Sequence, residues 1–176
     1  MLITRLKLKN WRNFQEVDVP LGPRTYLIGA NASGKSNFLA AFRFLRTLAQ
    51  RDGGGLQKAL RAAGGLSKLR SLHARRDPEV RIEVDVADSL DAIRPIWRYV
   101  LAFKAEGKGQ QRTLVSQEQV FRDGLELFSR PLDADLSDPE RLTQTHLEQT
   151  NLNQAFRELA EFFAETTYLH LVPQLL

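Results

Sequence analysis

The stretch Gly29-Ala30-Asn31-Ala32-Ser33-Gly34-Lys35-Ser36 decides the fold, because it fits the phosphate-binding loop pattern G-x-x-x-x-G-K-[ST] at every fixed position. In such a loop the two glycines let the backbone curl until successive N–H groups face phosphate oxygens. The lysine reaches the β- and γ-phosphates, and the serine hydroxyl is a Mg²⁺ ligand. The loop therefore predicts binding of ATP with Mg²⁺, with Lys35 as the catalytic residue.

The segments on either side of the loop support this interpretation. Residues 24–28 predict a strand that runs into the loop, bounded by Gly22-Pro23 and Gly29. After the loop, apolar residues recur at three- and four-residue spacing, which predicts an amphipathic helix ending before Asp52: Phe38, Leu39, Phe42, Leu45 and Leu48. A phosphate-binding loop requires a strand before it and a helix after it, so this context argues against a chance match.

The remaining periodicities predict a mixed α/β chain. Residues 2–9 alternate as a half-buried strand, and a second short strand follows from Phe14. Strand patterns downstream predict an antiparallel sheet or meander, and they cover residues 79–86, 96–105, 112–121 and 125–128. Helical patterns cover 56–63 and 153–165, with a helix start at Asp138-Pro139-Glu140, and residues 166–172 predict one more buried strand.

Composition excludes several classes of site and location. The 176 residues carry a formal net charge of +4 and a pI near 9.6, a mild excess that permits polyanion binding without requiring it. Cysteine is absent, which excludes disulfides and thiolate chemistry. The three histidines are too scattered for a zinc pattern. No apolar run has the length of a membrane span, and no secretory signal is present, so we expect a cytoplasmic protein with no membrane partner.

The first 48 residues carry a family resemblance. Leu6-Lys7-Leu8-Lys9-Asn10-Trp11-Arg12-Asn13-Phe14, followed by Tyr26-Leu27-Ile28 and the loop with Asn37, resembles the N-terminal lobe of RecF-like and SMC-like ABC ATPases. Those families begin with an N-F-R-x-F segment and continue into G-x-N-x-S-G-K-S-N. Beyond residue 48 the chain looks, more loosely, like lobe I of AAA family ATPases in the RecF and OLD-nuclease neighbourhood.

The resemblance implies a set of site residues. Arg12 would lie near the nucleotide phosphates, although a solvated strand-end arginine remains an equal alternative. Gln174, which follows the last predicted strand, would sense Mg²⁺ together with Ser36, although a terminal glutamine is more often exposed to solvent. Ala32 stands where many relatives have glycine, which implies a negative φ. The cofactor-binding residues are thus Arg12, Gly29, Ala30, Asn31, Ala32, Ser33, Gly34, Lys35, Ser36 and Asn37.

Hydrolysis in these families needs an apolar strand ending in Asp-Glu, a signature loop and a switch histidine, and none of these is convincing here. Glu83 and Asp85 alternate with apolar residues, so we interpret them as the solvent face of an antiparallel strand. We therefore expect an α/β P-loop NTPase fold, an incomplete ABC-ATPase-type lobe I with an antiparallel β subsheet and flanking helices. The expected lobe is one domain over 1–176, with parts at 1–50, 51–130 and 131–176.

Several hypotheses about function remain open. The first is an ATP-binding lobe that serves DNA repair or phage defence, with hydrolysis supplied by a homodimer or a partner chain carrying the missing lobe. The second is a truncated, non-catalytic ATP-binding regulator, and a small P-loop kinase is a third, which the early strand hairpin disfavours. DNA is a possible partner because basic residues cluster between 58 and 81, although a solvated face is the preferred interpretation: Lys58, Arg61, Lys68, Arg70, His73, Arg75, Arg76 and Arg81.

Overall fold

The computed structural model describes residues 1–72, 78–89, 94–107 and 112–169. Within these residues a six-stranded antiparallel sheet has the strand order β2-β1-β3-β4-β5-β6. The strands are β1 Leu2–Trp11, β2 Phe14–Pro20, β3 Val80–Ala87, β4 Trp97–Ala105, β5 Thr113–Arg122 and β6 Leu125–Arg130. This arrangement confirms the expected antiparallel subsheet, and flanking helices complete a mixed α/β fold.

Five α-helices lie in the described part of the chain. They are α1 Lys35–Ala49, α2 Leu56–Ala62, α3 Leu66–Leu69, α4 Asp133–Ser137 and α5 Arg157–Glu165. Short 3-10 helices cover Pro139–Thr143 and Gln154–Phe156. The helix predicted over 153–165 therefore begins with a 3-10 turn and becomes α-helical at Arg157.

The core lies between α1 and one face of the sheet. The apolar positions of α1 recur on one side, and α1 packs against α2 and α5. Phe44 of α1 makes an edge contact with Trp11 of β1, with ring centroids 5.4 Å apart, and stacks on Phe103 of β4 at 5.6 Å. Burying each such ring stabilises the fold by roughly 1.5–3 kcal/mol, so this stack fixes α1 relative to the sheet.

A buried polar cluster holds the segment after β6 against the sheet. Glu118 of β5 has no exposed surface, and it accepts hydrogen bonds from the backbone N–H of His146 and Leu147 at 2.8 and 3.0 Å. Arg130, also fully buried, pairs with Asp135 through two bonds of 2.7 and 3.0 Å. Because each charged group has a partner, this cluster fixes the path of residues 131–150.

Two predicted strands are not observed in the described part of the chain. Residues 24–28 pair with no strand in the described part of the chain, and the side chains of Tyr26 and Ile28 are 78% and 94% exposed. Residues 166–169 also lack strand structure, and the rest of that predicted strand lies outside the described residues. The sequence pattern is that of a strand in both places, but a strand needs a neighbour to accept its hydrogen bonds. Among the described helices, none is long and apolar enough to cross a membrane.

Candidate nucleotide-binding site

The loop from Gly29 to Gly34 leads directly into the first turn of α1. Ser33 N–H donates to the Ala30 carbonyl at 3.3 Å, which closes a turn, and Phe38 N–H donates to the Gly34 carbonyl at 2.8 Å to start the helix. The first turn of α1 contains no acidic residue. The free N–H groups and the positive end of the helix dipole are therefore available to an anion at this end.

Both fixed glycines lie close to neighbouring side chains. Gly34 has φ 104°, and a Cβ built on it would lie 2.6 Å from Asn13 Nδ2 and 2.8 Å from Phe14 Cζ. A Cβ on Gly29 would lie 2.8 Å from Ser33 Oγ. A side chain at Gly34 would also be strained by the positive φ, whereas the neighbour of Gly29 is the end of a serine side chain that can rotate away.

Ala32 corrects one expectation from the sequence. Its φ is 63°, in the left-handed region, whereas the alanine implied a negative φ. The curl of the loop requires this conformation, and alanine adopts it at a cost of roughly 1–2 kcal/mol that glycine would avoid. Alanine in place of glycine at position 32 therefore adds backbone strain but does not change the path of the loop.

Lys35 folds back over the loop. Its Nζ donates to the carbonyl oxygens of Gly29 and Ala30 at 2.6 and 2.7 Å, and Ser33 Oγ lies 3.5 Å away. The ammonium thus lies over the centre of the loop and is held by two neutral oxygens. Phosphate oxygens at this position would bind it more strongly, because a hydrogen bond between two charged groups is about twice as strong as one between neutral groups.

The tip of the β1–β2 hairpin supports the loop from behind. Trp11 Nε1 donates to the Asn37 carbonyl at 2.7 Å, and Asn37 Nδ2 donates to Asn13 Oδ1 at 2.8 Å. Asn13 also contacts Gly34. Sequence reasoning missed this role of Trp11 and Asn13, although both lie in the segment that carries the family resemblance; only the pairing of β1 with β2 places them beside the loop.

Arg12 lies at the same hairpin tip but its guanidinium contacts α2. Its Nη2 donates to the Ala63 carbonyl at 3.4 Å, and its Nε is buried with no hydrogen-bond partner in the described residues. Burial and the nearby Arg43 guanidinium lower the pKa of Arg12. A guanidinium that lies beside a second cation favours an incoming anion, but the structure does not bring Arg12 into contact with the loop itself.

The carboxylates of β3 are engaged elsewhere. Asp85 is only 5% exposed, and Arg98 holds it through two bonds of 2.6 and 2.9 Å. Glu83 pairs with Arg81 at 2.8 Å. The interpretation of both as a solvent face is therefore wrong for Asp85, because arginines from β1 and β4 cover it: Arg5 Nη1 also lies 3.6 Å from its Oδ2.

The remaining candidate residues differ in their surroundings, and some lie outside the described residues. Arg81 pairs with Glu83 on the sheet, whereas Lys58, Arg61 and Lys68 are exposed on α2 and α3. The candidate residues outside the described part of the chain are His73, Arg75, Arg76, His170 and Gln174. No cluster of potential metal-ligating side chains occurs in the part of the chain that the structure describes.

Comparisons with known proteins identify a family and several relatives that match part of the chain. The model of a family described as "AAA domain, putative AbiEii toxin, Type IV TA system" matches residues 24–173, well over half of the chain. The DNA replication and repair protein RecF of Clavibacter michiganensis subsp. michiganensis is 32% identical over 87 residues, which are 49% of this chain and 22% of that protein. RecF of Brucella abortus is 47% identical over 58 residues, covering 32% of this chain and 14% of the relative.

Two further similarities are more distant. An OLD nuclease of Thermus scotoductus is 42% identical over 40 residues, which are 23% of this chain and 8% of the nuclease. A solved structure from work on "ATP-driven dimerization and DNA stimulated activation of SMC ATPases" aligns with this chain at 18% identity and a TM-score of 0.42. The alignment covers 92% of this chain and 98% of the chain in that structure. The matched regions span less than a quarter of the length of the RecF relatives. The resemblance to RecF-like ATPases is confirmed, and it indicates an ATP-binding domain of the kind found in DNA-repair ATPases.

Proposed function

We propose that this chain, which belongs to the AAA domain family whose model matches residues 24–173, is the ATP-binding lobe of a RecF/SMC-like ABC ATPase. The observation that carries the proposal is the position of Lys35, whose Nζ lies over the loop carbonyls of Gly29 and Ala30 at the start of α1. ATP would enter with its phosphates at this point. The backbone N–H groups of the loop would then bind the phosphate oxygens, and Lys35 would exchange its two carbonyl partners for them.

The residues of the loop fit ATP and Mg²⁺. Gly29 and Gly34 carry no side chain, which allows the backbone to approach a phosphate closely. Ser36 is exposed in the first turn of α1, where its hydroxyl would hold Mg²⁺. The metal, when bound, would neutralise charge on the β- and γ-phosphates. Gln174 remains a proposed second ligand, and Arg12 a proposed contact to the phosphates.

Hydrolysis would need a carboxylate from outside the described residues. The best-placed acidic pair on a strand, Glu83 and Asp85, is bonded to arginines and lies on the face of the sheet opposite to α1. A carboxylate held in this way is not available to orient Mg²⁺ or to activate water. We therefore propose that a second lobe or a partner chain supplies the catalytic carboxylate.

The segment before the loop supports the same proposal. Residues 24–28 have a strand sequence, but their backbone makes no hydrogen bond to other backbone groups in the described part of the chain. Tyr26 and Ile28 expose 78% and 94% of their surface. Apolar residues this exposed beside a functional loop favour an interface, and strands from a second lobe would pair with this segment and cover both side chains.

The names of the relatives indicate a wider context. Relatives named as RecF act in DNA replication and repair, and the distant SMC structure concerns dimerization and stimulation by DNA. We propose a homodimer or a complementing chain, with DNA as a partner, in repair or in phage defence. A non-catalytic ATP-binding regulator is the second candidate, and the engagement of Glu83 and Asp85 with arginines favours it if no partner supplies a carboxylate.

The test is ATP binding and hydrolysis by the purified chain with Mg²⁺, with and without DNA. We expect saturable ATP binding that Lys35→Ala abolishes and that Lys58→Ala leaves unchanged, because Lys58 is exposed on α2 away from the loop. We expect negligible phosphate release from the chain alone. Rapid hydrolysis that depends on Lys35 would overturn the proposal that the carboxylate comes from elsewhere, and equal ATP binding by Lys35→Ala would overturn the site.

A further inference from the structure

A second cleft opens on the side of α2 and α3. It has a volume of about 510 Å³ and is bounded by α2, α3, the end of β4 and the start of β5. No residue of the loop from Gly29 to Asn37 lines it. Its volume falls in the range of small-molecule sites, roughly 300–1,000 Å³, so its lining determines what it can hold.

The charge of the cleft is unbalanced. Arg61 and Arg70 line it, and neither guanidinium has an ion pair with a carboxylate in the described residues. Residues 53–72, which form this side, contain four basic side chains and no acidic one. Arg112 at the opposite wall differs, because Glu106 and Glu140 both pair with it. Two uncompensated guanidiniums at one cleft attract an anion.

The frame of the cleft is already formed without a ligand. Gln57 Nε2 donates to the carbonyl oxygens of Thr113 and Thr143 at 3.2 and 2.9 Å, which ties α2 to β5 and to the 3-10 helix. Leu60 is 4% exposed and forms part of an apolar floor. Beside it, a Cβ at Gly65 would meet no atom within 4 Å, so the cleft is open there. A preformed frame lowers the entropy lost when a ligand binds.

The lining selects the class of ligand. The lining combines apolar side chains with the guanidiniums of Arg61 and Arg70, so the charged group of a ligand would bind to these arginines. Arginine presents paired donors that fit phosphate oxygens. Aromatic residues, on which nucleic acid bases would stack, are absent from the lining in the described part of the chain.

We propose that this cleft is a second anion site that binds a phosphate ester group between Arg61 and Arg70. The ester is carried either by a free sugar phosphate or by the 5′ end of a nucleic acid strand. The site is separate from the phosphate-binding loop, so it does not depend on the function proposed for that loop.

The test uses the full chain with Lys35→Ala, in which binding at the loop is removed, and ribose 5-phosphate as the probe in calorimetric titration. We expect saturable binding to persist in this protein. Adding Arg61→Ala and Arg70→Ala should weaken it at least about tenfold, whereas adding Lys58→Ala should leave it unchanged, because Lys58 lies on the same helix but does not line the cleft. Equal binding by the arginine variant would overturn the proposal, as would loss of all binding with Lys35→Ala alone.

A second variant guards against misfolding of the arginine variant. Ser67→Trp places a bulky side chain at an exposed position that lines the cleft, without changing the charge. We expect it to weaken the binding of ribose 5-phosphate by about the same factor as the two arginine substitutions. Unchanged binding would place the ligand outside the cleft and overturn the proposal.

Two oligonucleotides, identical except for a 5′-phosphate, identify the source of the phosphate ester. Preference for the phosphorylated strand over ribose 5-phosphate supports a strand end, and the reverse supports a free sugar phosphate. If the two oligonucleotides bind equally and both depend on the arginines, the arginines contact the nucleic acid backbone. That result would overturn the proposed site for a phosphate ester.

Discussion

The substitution Gly34→Ala tests whether the hairpin tip supports the phosphate-binding loop. Gly34 has φ 104°, and Gly124, in the turn between β5 and β6, has φ 83°. An alanine at either position adds about 1–2 kcal/mol of backbone strain. At Gly34 the Cβ would also lie 2.6 Å from Asn13 Nδ2, whereas at Gly124 it would meet nothing within 4 Å. Crowding of this kind costs a further ~1–3 kcal/mol.

We therefore expect the free energy of unfolding to fall by about 1–2 kcal/mol in Gly124→Ala and by about 2–5 kcal/mol in Gly34→Ala, as measured by urea unfolding. In calorimetric titration the ATP affinity of Gly34→Ala should fall at least tenfold, which corresponds to about 1.4 kcal/mol. Gly124→Ala should bind ATP as the wild type does. Wild-type ATP affinity in Gly34→Ala, or equal destabilisation by the two substitutions, would refute the reasoning.

Three further predictions concern other buried or supporting groups. Burial, followed by the charge of Arg130, lowers the pKa of His146 to about 4, so folding keeps it neutral while the unfolded chain takes up a proton below pH 6.5. His146→Phe should reduce the stability lost between pH 7 and pH 5 by about 2 kcal/mol in urea unfolding, and an unchanged pH profile would contradict the burial. Glu118→Ala should lower the free energy of unfolding by about 3–5 kcal/mol in the same measurement, since it leaves buried N–H donors without an acceptor. Glu118→Gln should lower it less. Equal losses in the two variants would contradict a role for the Glu118 side chain as acceptor. Asn13→Ala should weaken ATP binding several-fold, whereas Gln15→Ala on the same hairpin should not, and the opposite order would remove Asn13 from the site.

Much of the fold could be predicted from periodicity because those segments carry their pattern locally. α1 and the strands β1 to β6 follow alternation or three- and four-residue spacing that is visible in any short window. Residues 24–28 have the same kind of pattern, yet no strand forms, because pairing depends on a neighbour that is distant in the chain or outside it. The local pattern therefore predicts the tendency of a segment to be extended, and the presence of a neighbouring strand decides whether it forms a β-strand.

The candidate site divides in the same way. The sequence identified the loop and Lys35, because the spacing of two glycines and a lysine is itself the chemistry of phosphate binding. It did not identify the support from Asn13, nor the engagement of Asp85 by Arg98, since each joins residues from different strands. It also implied the wrong φ at Ala32, where the closure of the loop outweighs the preference of the residue.

The sequence by itself determined the position of a phosphate-binding loop pattern between an apolar segment and an amphipathic helix, because eight consecutive residues specify that pattern through local backbone freedom and charge. Only the tertiary structure decided which groups surround the loop and which carboxylates are already engaged. Hydrogen bonds and ion pairs act over about 3 Å in space, and antiparallel pairing brings residues together whose separation in sequence carries no signal of that contact.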